Sequence, residues 1–218
     1  MEIKVLYEDN HLIAVYKPAG ILVQGDKSGD VSMIEEVKMY IKQKYEKPGN
    51  VFLGLVHRLD RNVDGVVLFA KTSKGASRIS EQFRNHTVKK EYHAWVHGIV
   101  KEKSATLVSF LKHDENQNFA EVFDKETGGA DRAELSYEVI KIEGDFSLLK
   151  ITLKTGRHHQ IRAQLSHIGH SIVGDNKYGS VVRLPDQRIA LTATSLSFET
   201  ATTKEQKVVA LEIPLKTW

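Results

Sequence analysis

His57, Arg58, Asp60 and Arg61 fall within five residues, between an apolar run at 51–56 and another at 65–70. Ionisable groups placed between two buried strands are costly unless they face a cleft and pair with one another. A carboxylate among arginines keeps its charge at neutral pH, which suits a nucleophile or a base better than an acid. Arg157 and Arg162, much later in the chain, are candidates to approach the same carboxylate. Tyr92, on a predicted strand, offers a flat apolar face with a polar tip, the shape that stacks on a planar ring. Arginine, carboxylate and tyrosine together point to a nucleobase or sugar substrate that carries phosphate. The plainer alternatives are a surface turn with a local ion pair for 57–61, and a core-edge aromatic for Tyr92.

Other chemistries lose support. There is no Cys, so disulfides, thiolate zinc sites and cysteine nucleophiles are excluded. No glycine-rich phosphate loop precedes a Lys-Ser or Lys-Thr pair, and no Gly-x-Ser-x-Gly elbow is present. The best metal candidates are His158, His159, His167, His170 and Asp175. On a helix the first two would point about 100° apart, and His167 lies too far along to join either, so no metal site is expected. Lys and Arg number 31 against 28 Asp and Glu, a formal charge of +3, so any phosphate-attracting field must come from how the cations are distributed. No run approaches the ~20 apolar residues of a membrane span, and the protein is expected to be soluble and cytoplasmic.

The elements that must position these residues follow from periodicity. Residues 2–7 and 11–17 alternate as a hairpin, and Lys17-Pro18-Ala19-Gly20 ends it in a fixed loop that would display Lys17. Ile34, Val37, Ile41 and Tyr45 share a helical face behind a Ser32/Glu35 capping box. The two apolar runs around 57–61 read as strands. Ser73 is the expected N-cap of a second helix, with Ala76, Ile79 and Phe83 on one face. Residues 89–98 alternate again, and strand-like runs at 104–111, 117–123, 132–142 and 146–154 are joined by short turns, so they must pair antiparallel. Ile161, Leu165 and Ile168 mark a helix from about 158 to 168, closed by Gly169. A compact turn at 174–179 and strands near 189–198 and 208–215 complete the chain. The reading is a single α+β domain over 1–218: a large, mostly antiparallel, bent sheet with flanking helices.

These residues also carry a resemblance. His57-Arg58-Leu59-Asp60-Arg61-x-x-x-Gly65, Lys90-x-Tyr92, and the long run from Thr155-Gly156-Arg157-x-His159-Gln160-Ile161-Arg162 to Gly174-Asp175-x-x-Tyr178-Gly179 are similar to the motifs of the RluA family of pseudouridine synthases. The similarity is ordered and spans nearly the whole chain. It implies that fold, with a central catalytic cleft, and cofactor-free, metal-free isomerisation of uridine to pseudouridine in ribosomal or transfer RNA. It further implies that Asp60 is the catalytic aspartate, that Tyr92 packs on the target base, and that Arg162 pairs with the aspartate. Arg58 would fill the gap left by a flipped nucleotide. Arg61, Arg157 and Lys17 are carried as RNA contacts and Ile161 as a pocket wall. The partner is then structured RNA, with no membrane, and a monomer is expected. Because the chain opens on the catalytic strands, no S4-type RNA-binding domain is expected.

Three positions depart from the family pattern. Val63-Asp64 stand where Thr-Ser is usual before Gly65, and Thr192 stands where His is usual. Asp64 would add a negative charge near Asp60. That leaves a non-catalytic RNA-binding protein of the same fold as the alternative, with a metal-dependent hydrolase behind it.

Overall fold

The computed structural model describes residues 2–26 and 29–212, in two compact units. The first runs to Lys89 and takes up Ala193–Glu212, and the second is Lys90–Thr192.

In the first unit β1 (Val5–Glu8) and β2 (Leu12–Lys17) form the expected hairpin, turned by the Asp9 carboxylate, which accepts the His11 and Leu12 N–H groups. Helix α1 (Met33–Lys44) begins at the predicted capping box, where Glu35 accepts from both the backbone N–H and the hydroxyl of Ser32. It is held to the hairpin through Glu8, which pairs with Lys44 and Lys71 and accepts from the Tyr45 hydroxyl. Of the run before the motif, the ladder takes in β3 (Gly54–Leu55) alone; the run after it becomes β4 (Asp64–Ala70). Helix α2 (Ser73–Arg84) starts one residue earlier than predicted, because Thr72 and not Ser73 is the cap: its hydroxyl accepts the Gly75 N–H.

Strands β1, β2 and β4 lie side by side, β4 adjoins a later strand, β10 (Leu191–Glu199), and β11 (Gln206–Ala210) pairs with β10. The predicted last strand ran to 215, and its residues 213–215 lie outside the described ones. Leu12, Ala14, Val66, Leu68, Ile79, Leu196 and Phe198 make the core.

The second unit is an antiparallel sheet in the order β5 (Lys89–His97), β9 (Phe146–Leu153), β8 (Asp131–Glu143), β6 (Ser104–Asp114), β7 (Phe119–Phe123). Tyr92 pairs with Ile151 and Lys90 with Leu153, so both face the side that also carries Leu135 and Ala133. Helix α3 (Gln160–His167) covers that side, packing Ala163 against Ala133 and Leu111. It is shorter than predicted at both ends. His159 caps it in the left-handed region (φ 51°), a conformation that ends helical periodicity abruptly. The α+β expectation holds: antiparallel strands in succession with, among the described residues, three α-helices set between them. No helix among the described residues is long and apolar enough to cross a membrane.

One glycine constrains the motif region. Gly65, the second residue of β4, has φ at 132°, and a Cβ there would lie 2.3 Å from the Ala193 carbonyl oxygen. Backbone cannot yield as a side chain can, so Gly65→Ala is expected to cost about 3 kcal/mol or more. Urea unfolding measures this, and a loss below about 0.5 kcal/mol, the range of an ordinary surface substitution, would contradict it.

Candidate active site

In the first unit Asp60 lies in the loop between β3 and β4, on a turn closed by the Val63 N–H to the Asp60 carbonyl at 3.1 Å. Leu59 and Val63 are buried on either side of it, while Arg58 and Arg61 are exposed. The alternation follows from apolar residues anchoring the loop and charged ones leaving it. His57 fixes the entry: its ring stacks on Phe83, with centroids 5.0 Å apart, and Nε2 accepts the Leu68 N–H at 2.9 Å. Accepting that bond requires Nε2 to be unprotonated, so the neutral ring carries its hydrogen on Nδ1.

The exit is held by Lys17, and here the sequence reading is corrected. Lys17 is not displayed on its loop and is not placed to meet RNA. It is fully buried, and Nζ donates to the carbonyls of Pro18 at 3.0 Å, Ile21 at 2.8 Å and Arg61 at 3.2 Å. A buried ammonium has to be met by dipoles or charge, and here the two loop backbones supply the dipoles. Burial lowers its pKa to about 8, against the opposing pull of the Asp64 and Asp60 carboxylates. Arg61 completes the splice: its carbonyl accepts the Gly20 N–H at 2.8 Å, its Nε donates to the Gly20 carbonyl at 2.9 Å, and its Nη2 pairs with Asp30 at 2.8 Å.

The two unusual residues before Gly65 find places in the same assembly. Val63 is core, and Asp64 accepts from the Tyr16 hydroxyl at 2.9 Å while adding to the negative field on Lys17.

In the second unit Tyr92, Ile161 and Arg162 are all buried. Arg162 donates through Nε and Nη2 to the two oxygens of Asp175, at 2.7 and 2.9 Å, and its guanidinium lies 5.0 Å from the centre of the Tyr178 ring. A two-point fork of this kind fixes the plane of the guanidinium as well as its place. Asp175, a metal-ligand candidate by residue type, instead holds Arg162. Three more of that group are also committed elsewhere: His159 bonds the Tyr178 hydroxyl, His167 pairs with Asp124, and His170 bonds the His97 carbonyl. No metal-holding cluster occurs among the described residues.

Tyr178 accepts the Ala120 N–H at 2.7 Å, and its hydroxyl hydrogen-bonds His159 Nδ1 at 3.0 Å. The turn before it requires Gly174 (φ 89°), where a Cβ would lie 2.8 Å from the Arg188 carbonyl.

The spacing of Thr155, Arg157 and Gln160 also has a cause. The Gln160 side-chain oxygen accepts from the Thr155 hydroxyl at 2.7 Å and the Arg157 N–H at 3.0 Å, while its amide donates to the Glu134 carbonyl at 3.1 Å. The loop before α3 is thereby locked. Arg157 itself is exposed, with Nε on the Arg132 carbonyl and Nη1 paired to Asp131. The supporting residues Asp175, Tyr178, Gln160 and His57 all lie within the motifs; Gln160 has two partners close by in its own motif, whereas the partners of the other three are too distant in sequence to be read from spacing.

The RNA pseudouridylate synthase family matches residues 11–167, a span that contains Asp60, Tyr92 and Arg162. The chain is 33% identical over 228 residues to the tRNA pseudouridine synthase C of Vibrio cholerae, covering 95% of this chain and 89% of that one. It is 37% identical over 180 residues to the ribosomal large subunit pseudouridine synthase C of Buchnera aphidicola, and there spans about half of the relative's length, 54%. In fold it resembles human RNA pseudouridylate synthase domain containing 4, with a TM-score of 0.80 over 97% of this chain and 20% identity. The chain belongs to the RNA pseudouridylate synthase family, whose members are isomerases acting on RNA.

The Arg162–Asp175 fork gives a direct test. Asp175→Asn removes the charge that Nε and Nη2 face, and breaking one side of a buried pair costs about 3 kcal/mol or more. Urea unfolding of the variant is expected to show that loss, whereas a change under about 1 kcal/mol, the worth of an exposed pair, would contradict the assignment.

Proposed function

We propose that the protein converts uridine to pseudouridine at specific positions of structured ribosomal or transfer RNA. The observation that carries the reading is the family match across the stretch that contains Asp60, Tyr92 and Arg162, together with the rigid support of the Asp60 loop and of Arg162, each within its own unit. The reaction breaks the bond from N1 of uracil to C1′, turns the base, and joins C5 to C1′. C5 gives up its hydrogen and N1 gains one, so atoms and electrons balance without a redox partner. Asp60 supplies the carboxylate to the ribose or the base. Tyr92 offers its ring face to the uracil. Arg162, held at two points by Asp175, offers a guanidinium of fixed orientation to the reacting groups.

Exposed Arg58 stacks in the place of the flipped nucleotide, and Arg61 and Arg157 meet the backbone. The names of the relatives support both RNA classes, one being named for transfer RNA and another for the large ribosomal subunit. Of the three departures behind the purely RNA-binding alternative, Val63 and Asp64 have places in the scaffold of the Asp60 loop, which favours the enzyme, while Thr192 has no such explanation.

The loss of hydrogen from C5 is the readout. Transcripts carrying tritium at C5 of uridine are expected to release it to water with the wild type, and to do so equally with a chelator present. Asp60→Asn is expected to reduce release to background while RNA binding remains. Binding without release by the wild type would support the non-catalytic reading instead.

A further inference from the structure

Lys90 is a half-buried cation that the mechanism above leaves unused. It lies two residues before Tyr92 on β5, and side chains two apart on a strand point the same way. Its cross-strand partner Leu153 adjoins Ile151, the partner of Tyr92, so the two residues share the face that α3 covers. Nζ donates to the Thr155 carbonyl at 3.2 Å and rests on the next residue, Gly156, where a Cβ would lie 3.3 Å from it. Lys90 therefore sits between the stacking tyrosine and the locked loop that carries Arg157.

Its chemistry is incomplete there. An ammonium has three donors, and among the described residues Thr155 is the one acceptor. The neighbouring carboxylate, Glu91, points to the other face and pairs with Lys150 at 3.1 Å. Burial alone lowers the Lys90 pKa, to about 8, with no carboxylate restoring it. A cation held out of water with two donors to spare and no counter-charge is costly, and an arriving anion removes the cost. Lys17 makes the contrast plain: it is more deeply buried, yet three carbonyls saturate it.

We propose that Lys90 binds a backbone phosphate of the RNA next to the nucleotide that stacks on Tyr92. The inference rests on the reading of the protein as an RNA pseudouridine synthase. A phosphate reached by Nζ would register the target nucleotide along β5, and the Thr155 carbonyl would aim the two remaining N–H groups at it.

The test is the salt dependence of binding to transfer RNA and large-subunit ribosomal RNA transcripts made without modifications. Each phosphate contact releases counterions and contributes about 0.7–0.9 to the slope of log K against log salt concentration. Lys90→Met is expected to bind several-fold more weakly at low salt with a slope shallower by about that amount, and Lys90→Arg to keep the wild-type slope. Unchanged slope in Lys90→Met overturns the proposal, even with weaker binding, because that pattern belongs to a lysine that merely braces Thr155.

A second measurement uses the wild type and needs no folded variant. Acetylation of lysines read by mass spectrometry, with and without the same RNA, is expected to show Lys90 protected several-fold, and equal labelling overturns the proposal. If Lys90 behaves as expected while the wild type releases no tritium, the catalytic reading fails and the phosphate contact stands. Normal release with an unchanged slope sinks the phosphate contact alone.

Discussion

A guanidinium that keeps only a few per cent of its surface exposed has to be met by charge, and in the second unit Asp175 meets Arg162 at two points. Much of that unit is arranged to make the meeting possible. Gly174 lets the chain turn into Asp175, Tyr178 lies under the guanidinium, and His159 caps α3 while bonding the Tyr178 hydroxyl. Ion pairs buried this deeply are not a source of net stability compared with well-packed apolar groups. Their retention makes sense where the arginine's orientation matters more than the free energy it costs.

The first unit solves the matching problem with a single ammonium. Lys17 draws three carbonyls from two loops onto one point, and the loop bearing Asp60 is spliced to the end of β2 as a result. His57 does the same at the other end of the motif by accepting a strand N–H. Asp60 is thus carried on a short turn whose neighbours are tied down, which is what a carboxylate needs if it is to meet a reacting atom without reorganising. The same assembly absorbs Asp64, whose charge faces Lys17 and whose oxygen accepts from Tyr16. A residue that looked disruptive from its type alone is a participant in the scaffold.

What the sequence could and could not disclose follows from range. Period-two alternation located β2 and β5, and the Ser32/Glu35 pair located the start of α1, because these signals act within a few residues. Thr72 and Ser73 are both good caps, and only the geometry of the Gly75 N–H chose between them. Lys17 read as a turn lysine since a Pro-Gly loop signals exposure; its burial depends on carbonyls as far away as Arg61. Asp175 read as a loose metal candidate because nothing in its spacing names Arg162 as its partner. The motif residues were legible as a set, while the groups that hold them were legible only in space.

The measurement that bears most directly on the central claim is a map of pseudouridine across total RNA from cells lacking this protein, complemented by the wild type or by Asp60→Asn. One or more sites lost on deletion, restored by the wild type and not by Asp60→Asn, is the predicted result, and it identifies the substrate at the same time. A map that does not change between these strains would contradict the claim that the protein makes pseudouridine through Asp60.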